Sequence, residues 1–212
     1  GQKHGAYTTH FGDAETIDVS FLIVGSTRTD NGSGVEQDIL ADHNTIVNNV
    51  IQIAENRKDC MVICSPRRAS VVGVSSESTQ STNVKADYAS CTSSSYAVFD
   101  SGWTYQYEKY NDKYCWVPAC GHTAGIMARS DLQRDAWVSP AGFSRGQYLG
   151  ITKLAFNPKQ GSRDDLYRAR VNPVVTFPGQ GTLLYGDKTA LTTPSAFDRI
   201  NVRRLFIVLE KA

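Results

Sequence analysis

Long apolar runs are missing from these 212 residues. Stretches such as FLIV at 21–24 and LFIVL at 205–209 fall far short of the roughly 20 residues that a membrane-spanning helix needs. An excess of one charge is missing too. With 22 Lys+Arg against 21 Asp+Glu, the formal net charge is +1, and nothing in that balance asks for nucleic acid or an anionic membrane as partner. The N-terminus GQKHGAYTTHFGD has no initiator Met and no basic stretch followed by an apolar one, so no secretory signal is visible and both ends read as cut. The motifs of common enzymes are absent: no G-x-S-x-G elbow, no H-E-x-x-H pair, no calcium loop. GTLLYGDKT at 181–189 misses the phosphate-binding loop by an inserted Asp187, whose carboxylate would repel a phosphate. No catalytic, cofactor-binding or metal-ligating residue is assigned, and no enzyme is expected.

Five cysteines (60, 64, 91, 115, 120) are an odd number in a chain long enough to bury a core without staples, which fits reduced, mostly buried thiols. Cys115, Cys120 and His122 have the spacing C-x4-C-x-H, which matches no common zinc pattern and has no second ligand pair. Asn31-Gly32-Ser33 formally matches a glycosylation acceptor but reads as a turn.

What is present is periodicity. Residues 16–25 (TIDVSFLIVG) turn from alternation to a continuous apolar run, the pattern of a strand in the middle of a sheet covered on both faces. Residues 35–56 carry Ile39, Leu40, Ile46, Val47, Val50, Ile51 and Ile53 at helical spacing, and CMVICSP follows as a second buried strand. Strand, helix, strand predicts a right-handed βαβ unit with parallel strands. Between the first strand and the helix, GSTRTDNGSG at 25–34 is the best candidate for an anion cradle, although it lacks the three-glycine dinucleotide fingerprint. The Ser/Thr-rich residues 70–83 predict a mobile loop, with a short helix near Val84 to Ser90. YAVFDSGWTYQYEKYNDKYCWVPA then alternates aromatic and polar residues about Asn111-Asp112-Lys113, which predicts a hairpin. Its Tyr105, Tyr107, Tyr110, Tyr114 and Trp116 could form a stacking platform for single strands, but no basic stripe accompanies them and cross-strand packing is the stronger reading. Residues 123–132 predict a helix. The fold class is α/β: a mixed sheet with flanking helices, a βαβ core plus an antiparallel hairpin, in one domain across 1–212.

From Trp137 the sequence becomes specific. Trp137 to Gly146, Arg163 to Tyr167, Asn172-Pro173, Gly179 to Thr189 and Phe197 to Leu205 form five motifs in order, and the chain closely resembles the tail sheath family of contractile phages, particularly T-even-like ones. The segments IDVSFLIVG, DCMVICSPRR and YQYEKYNDKYCWVP are similar to such sheaths as well. The resemblance implies a mechanical subunit of the virion, assembled in the host cytoplasm. Its implied partners are other sheath subunits in hexameric discs, the tail tube, and baseplate and terminator proteins. It implies that the chain is a core piece lacking outer domains and the terminal arms that add strands to neighbouring subunits. A sheath of a related secretion or bacteriocin machine, and a nucleotide-binding domain using residues 25–34, are the alternatives. Structural roles are expected for Trp137, Pro140, Gly142, Arg145, Gly146, Asn172, Pro173 and Gly186: a tight turn after Trp137, an Arg145 anchor on carbonyls or a carboxylate, a helix ended by Asn172-Pro173. Ser162 is expected to cap that helix. Arg203 and Arg204 admit two readings, a face toward the tube or a neighbouring subunit, and salt bridges within the domain.

Overall fold

A computed structural model describes residues 3–30 and 36–211. In chain order, helix α1 (Lys3–Phe11) precedes strand β1 (Phe21–Val24), a short pair β2 (Thr29–Asp30) and β3 (Glu36–Gln37), and the long helix α2 (Leu40–Arg57). Strand β4 (Met61–Cys64), one turn α3 (Arg68–Val71), helix α4 (Glu77–Ala89) and strand β5 (Ala97–Asp100) follow. Next come the hairpin β6 (Trp103–Glu108) and β7 (Lys113–Pro118), helix α5 (Cys120–Gln133), and β8 (Lys153–Leu154). Helix α6 (Gln160–Arg168), strands β9 (Val171–Asn172), β10 (Val174–Phe177) and β11 (Gly181–Leu184), and helix α7 (Ile200–Lys211) complete the chain.

The central sheet has the order β1-β4-β5-β9 and every pairing in it is parallel. Alternation along β4 shows how it is covered. Val62 and Cys64 belong to the core cluster with Val47, Val50 and Ile51 of α2 and Tyr88 of α4, whereas Met61 and Ile63 pack with Met127 of α5 and Ile200 and Ile207 of α7. Successive side chains of a strand point to opposite faces, so a run with no polar residue is what two covered faces require. The mixed α/β class thus follows from β4 and α2, with the β6-β7 hairpin and the antiparallel β10-β11 pair added at the side.

Five expectations are corrected. The first strand is only Phe21–Val24 and lies at the edge of the sheet, with Ile23 40% exposed; β4 takes the middle. The helix expected from residue 35 begins at Leu40. The second half of the expected mobile loop is α4: Ser76 accepts the Thr79 amide as its cap, and buried Gln80 donates to the carbonyls of Val71, Val74 and Ala155. Tertiary partners there override the weak helix propensity of Ser and Thr. Helix α6 starts two residues before Ser162; Lys159 precedes it without a side-chain cap, and Glu77 of α4 accepts the Lys159 amide at 3.0 Å instead. That helix also ends before Asn172-Pro173, at Arg168, with Arg170 in the left-handed region (φ 69°) and Asn172 already inside the sheet.

Candidate functional site

Four of the five motifs converge on one polar cluster. The Asp187 carboxylate accepts from Arg199 Nη1 at 2.6 Å, from the Tyr167 hydroxyl at 3.3 Å and from Ser139 Oγ at 3.3 Å. Arg199 also donates to the Tyr167 hydroxyl at 2.7 Å, and Lys188 stands 4.3 Å above the Tyr167 ring. One carboxylate therefore ties together the turn after Trp137, α6, the end of β11 and the start of α7. The inserted Asp187 that spoils a phosphate loop is the centre of this cluster.

Asn172 does the same job in the core, where it is fully buried. Its Nδ2 donates to Phe99 O at 3.0 Å and Lys188 O at 2.8 Å, while Oδ1 accepts the Lys188 amide at 2.7 Å. A carboxamide offers both donor and acceptor, so it can bridge a sheet edge to a passing strand that pairs with neither. Gly142 adopts φ +96°, and Gly146 has no room for a side chain, since a Cβ would stand 2.6 Å from Leu184 O. The turn they frame docks on β11 through Gly142 N to Leu184 O (2.9 Å) and Leu184 N to Gly146 O (2.8 Å). Arg145 Nε donates to Ser139 O at 2.7 Å, closing the loop across itself, and Trp137 O accepts from Asn201 of α7 at 3.1 Å. Pro140 is buried, and Pro173 lies against Gly186 at the far side of Asn172.

Arg203 and Arg204 point inward and are 8% and 5% exposed. Arg203 lies between the Tyr96 and Phe197 rings, 4.3 and 4.1 Å from their centroids, and donates to the Tyr96 hydroxyl at 3.1 Å. Arg204 pairs with Asp131 of α5 and covers the Phe21 ring at 5.3 Å. With the cations inward, α7 shows solvent Phe206, Val208 and Leu209, at 39%, 46% and 59% exposure; Val208 shares a cavity lining with half-exposed Trp137, and Ile23 at the sheet edge is exposed as well. Among the described residues, no strand pairs with the outer edge of β1; the Tyr7 hydroxyl donates to Ile23 O at 2.8 Å.

The remaining candidates have plainer surroundings. Burial pushes the thiols of Cys60, Cys91 and Cys120 up to about 12 and that of Cys64 well above its ordinary value, so none is a ready nucleophile. His122 Nε2 is engaged with Gln106 Oε1 at 3.0 Å, its ring stacks on Tyr148, and no group of three metal ligands occurs among the described residues. The hairpin aromatics pack across the strands, with the Tyr105 ring 5.5 Å from Tyr114 and 4.8 Å from Trp116. Residues 31–34 of the anion-cradle candidate, and with them the Asn31-Gly32-Ser33 turn, lie outside the described residues. The described part places Thr27 Oγ1 2.8 Å from His43 Nδ1 in the core, and the helix it was to serve starts further along the chain.

Comparison with known proteins gives one consistent result. A family model, the phage tail sheath protein central domain, matches residues 15–190. The tail sheath protein of Enterobacteria phage T4 is 43% identical over 208 residues, covering 94% of this chain and 30% of that protein. The tail sheath protein of Vibrio phage KVP40 is 46% identical over 168 residues, covering 74% of this chain and 25% of that protein. Among solved structures, a chain of the anti-feeding prophage baseplate superimposes with a TM-score of 0.68 at 13% identity, covering 99% of this chain and 48% of that one. A chain of the PVC sheath complex in its contracted state gives 0.63 at 17% identity, covering 96% and 49%. These structures share the fold. The chain spans less than a third of the length of the curated relatives cited.

Proposed function

The chain belongs to the phage tail sheath central-domain family, and from that premise we propose that it is the core of a structural subunit that polymerises around a tail tube and contracts to drive the tube through a host envelope. One observation carries this reading: the outer apolar face of α7, with Phe206, Val208 and Leu209, is uncovered, and among the described residues no strand pairs with the outer edge of β1. Soluble monomers rarely leave both exposed together, because apolar surface and unpaired strand edges each favour association. A strand supplied by a neighbouring subunit would pair with β1 and shield Ile23, and backbone hydrogen bonds of that kind can persist while rigid bodies rotate. Arg203 and Arg204 serve the interface indirectly, by holding α7 so that its apolar face points outward. The eight motif residues around Asn172 and Gly146 keep the body rigid.

The assembly would stack as hexameric discs between baseplate and terminator proteins, as part of the virion built in the host cytoplasm. Energy stored in the extended helix at assembly would drive contraction without nucleotide or cofactor. The 43–46% identity to phage sheaths favours a phage tail over a related secretion machine. Electron microscopy of the full-length gene product tests the reading. Long tubes are expected from the natural sequence, and only small species from the variant Ile23→Lys/Leu209→Asp at an unchanged melting temperature. Absence of tubes from the natural protein under all assembly conditions would sink the proposal.

A further inference from the structure

A cavity of about 180 Å³ between the end of α5 and the turn at 142–146 is lined by Arg129, Ser130, Gln133, Arg134, Ser144 and Arg145, without a single carboxylate. Three guanidinium groups around one polar cleft repel one another unless an anion joins them. Of the nearby acids, Asp131 pairs with Arg204, and Asp135 lines a different cavity. Two of the three arginines are oriented by backbone. Arg129 Nη2 donates to Arg145 O and Gln147 O, both at 2.8 Å, and Arg145 Nε donates to Ser139 O at 2.7 Å. These bonds use one nitrogen of each guanidinium, and the Arg134 side chain has no hydrogen bond or ion pair among the described residues. A planar fork held in place, with donors unused, loses little freedom on binding an oxyanion.

We propose that this cleft is an oxyanion site that takes a phosphate or carboxylate group between Arg129, Arg134 and Arg145, with the Ser144 hydroxyl and the Gln133 amide at its rim; the Ser130 hydroxyl already donates to Ile126 O at 2.9 Å. Two sources offer that chemistry, free inorganic phosphate and a carboxylate side chain of an adjoining protein. The site rests on the cavity and its arginines alone and stands independently of the sheath-assembly reading.

Calorimetric titration of the intact chain at low ionic strength, pH 7, with potassium phosphate and separately with a hexaglutamate peptide, tests it. Saturable one-to-one binding in the millimolar range is expected for at least one ligand, weakening as salt rises. Arg134→Gln should lower the affinity at least fivefold and leave the melting temperature unchanged, and Arg134→Lys should fall between. Competition between the two ligands indicates one shared site; binding of the peptide alone assigns the protein carboxylate, and of phosphate alone the free ion. NMR shifts on the unmutated chain give a second readout and should be confined to residues 129–134 and 142–147. No saturable binding by either ligand, binding that Arg134→Gln leaves intact, or shifts elsewhere on the molecule would overturn the proposal.

Discussion

The Asn172 carboxamide occupies the space that a side chain at Gly186 would need: a Cβ on Gly186 would stand 2.7 Å from Asn172 Oδ1. The glycine is there for the asparagine, which fastens β9 to Phe99 on one side and to Lys188 on the other. Gly186→Ala should push Oδ1 off the Lys188 amide and leave buried polar groups unpaired, costing about 2–3 kcal/mol. Denaturant titration of that variant beside Asn172→Ala checks it. A double variant no worse than either single one is expected, because both remove the same clamp.

Asp100 is fully buried at the end of β5, accepting from Ser65 Oγ at 3.0 Å, Gly102 N at 3.1 Å and Thr123 Oγ1 at 3.3 Å, with no cation to pair with. Burial pushes its carboxyl up from 3.8 to about 7. The unfolded chain releases this proton near 3.8 and the folded one only near 7, so over that window the folded state binds more protons. The stability tied to the held proton is complete below the lower value and is lost as pH rises through the upper one. Asp100→Asn should therefore flatten the fall of melting temperature between about pH 4 and 7, an effect on the order of a few kcal/mol. A variant whose pH profile parallels that of the natural chain would refute this.

Arg57 holds the N-terminal segment to the body. Its side chain donates to Phe11 O (2.8 Å), Asp13 O (3.0 Å) and Ile17 O (2.7 Å) and pairs twice with Asp59 at 2.8 Å. Arg57→Gln keeps part of the volume and loses the fork. Amides of α1 and residues 11–18 should then exchange faster by at least tenfold while those of β4 hold, as hydrogen exchange would report.

Arg203 should matter for packing more than for charge. Its Nε is buried without a partner, and the ion pair to Glu210 is long at 4.0 Å, while two aromatic rings clamp the guanidinium. Arg203→Ala opens a gap between Tyr96 and Phe197 and should cost about 2 kcal/mol, whereas Arg203→Met fills it and should cost less than half of that. Thermal melts of the two variants separate the effects.

Local periodicity was enough for α2, β4 and the β6-β7 hairpin. The 3.6-residue stripe of Ile46, Val47, Val50 and Ile51, the all-apolar MVIC and the alternating aromatics each report burial through neighbours a few residues away. The motif residues stood out in the sequence only as a pattern. Nothing local revealed that Ser139, Tyr167 and Arg199 meet at Asp187, since the partners lie 48, 20 and 12 residues from it.

Arg203 and Arg204 show the boundary most directly. In the sequence they are two cations in a helix apolar almost all round, equally suited to an outer face or to inner ion pairs. Tyr96 and Asp131, 107 and 73 residues away, draw them inward by offering an aromatic face and a carboxylate beneath α7. Helix α4 follows the same rule, since its Ser/Thr-rich turns are held by carbonyls from α3 and from Ala155 that no window on the sequence brings near. Sequence alone determined which segments must bury an apolar face and at what spacing, because that depends on covalent neighbours. Which polar groups those faces enclose was decided by the tertiary structure, because a buried hydrogen bond needs its partner in place and chain separation says nothing of where that partner will be.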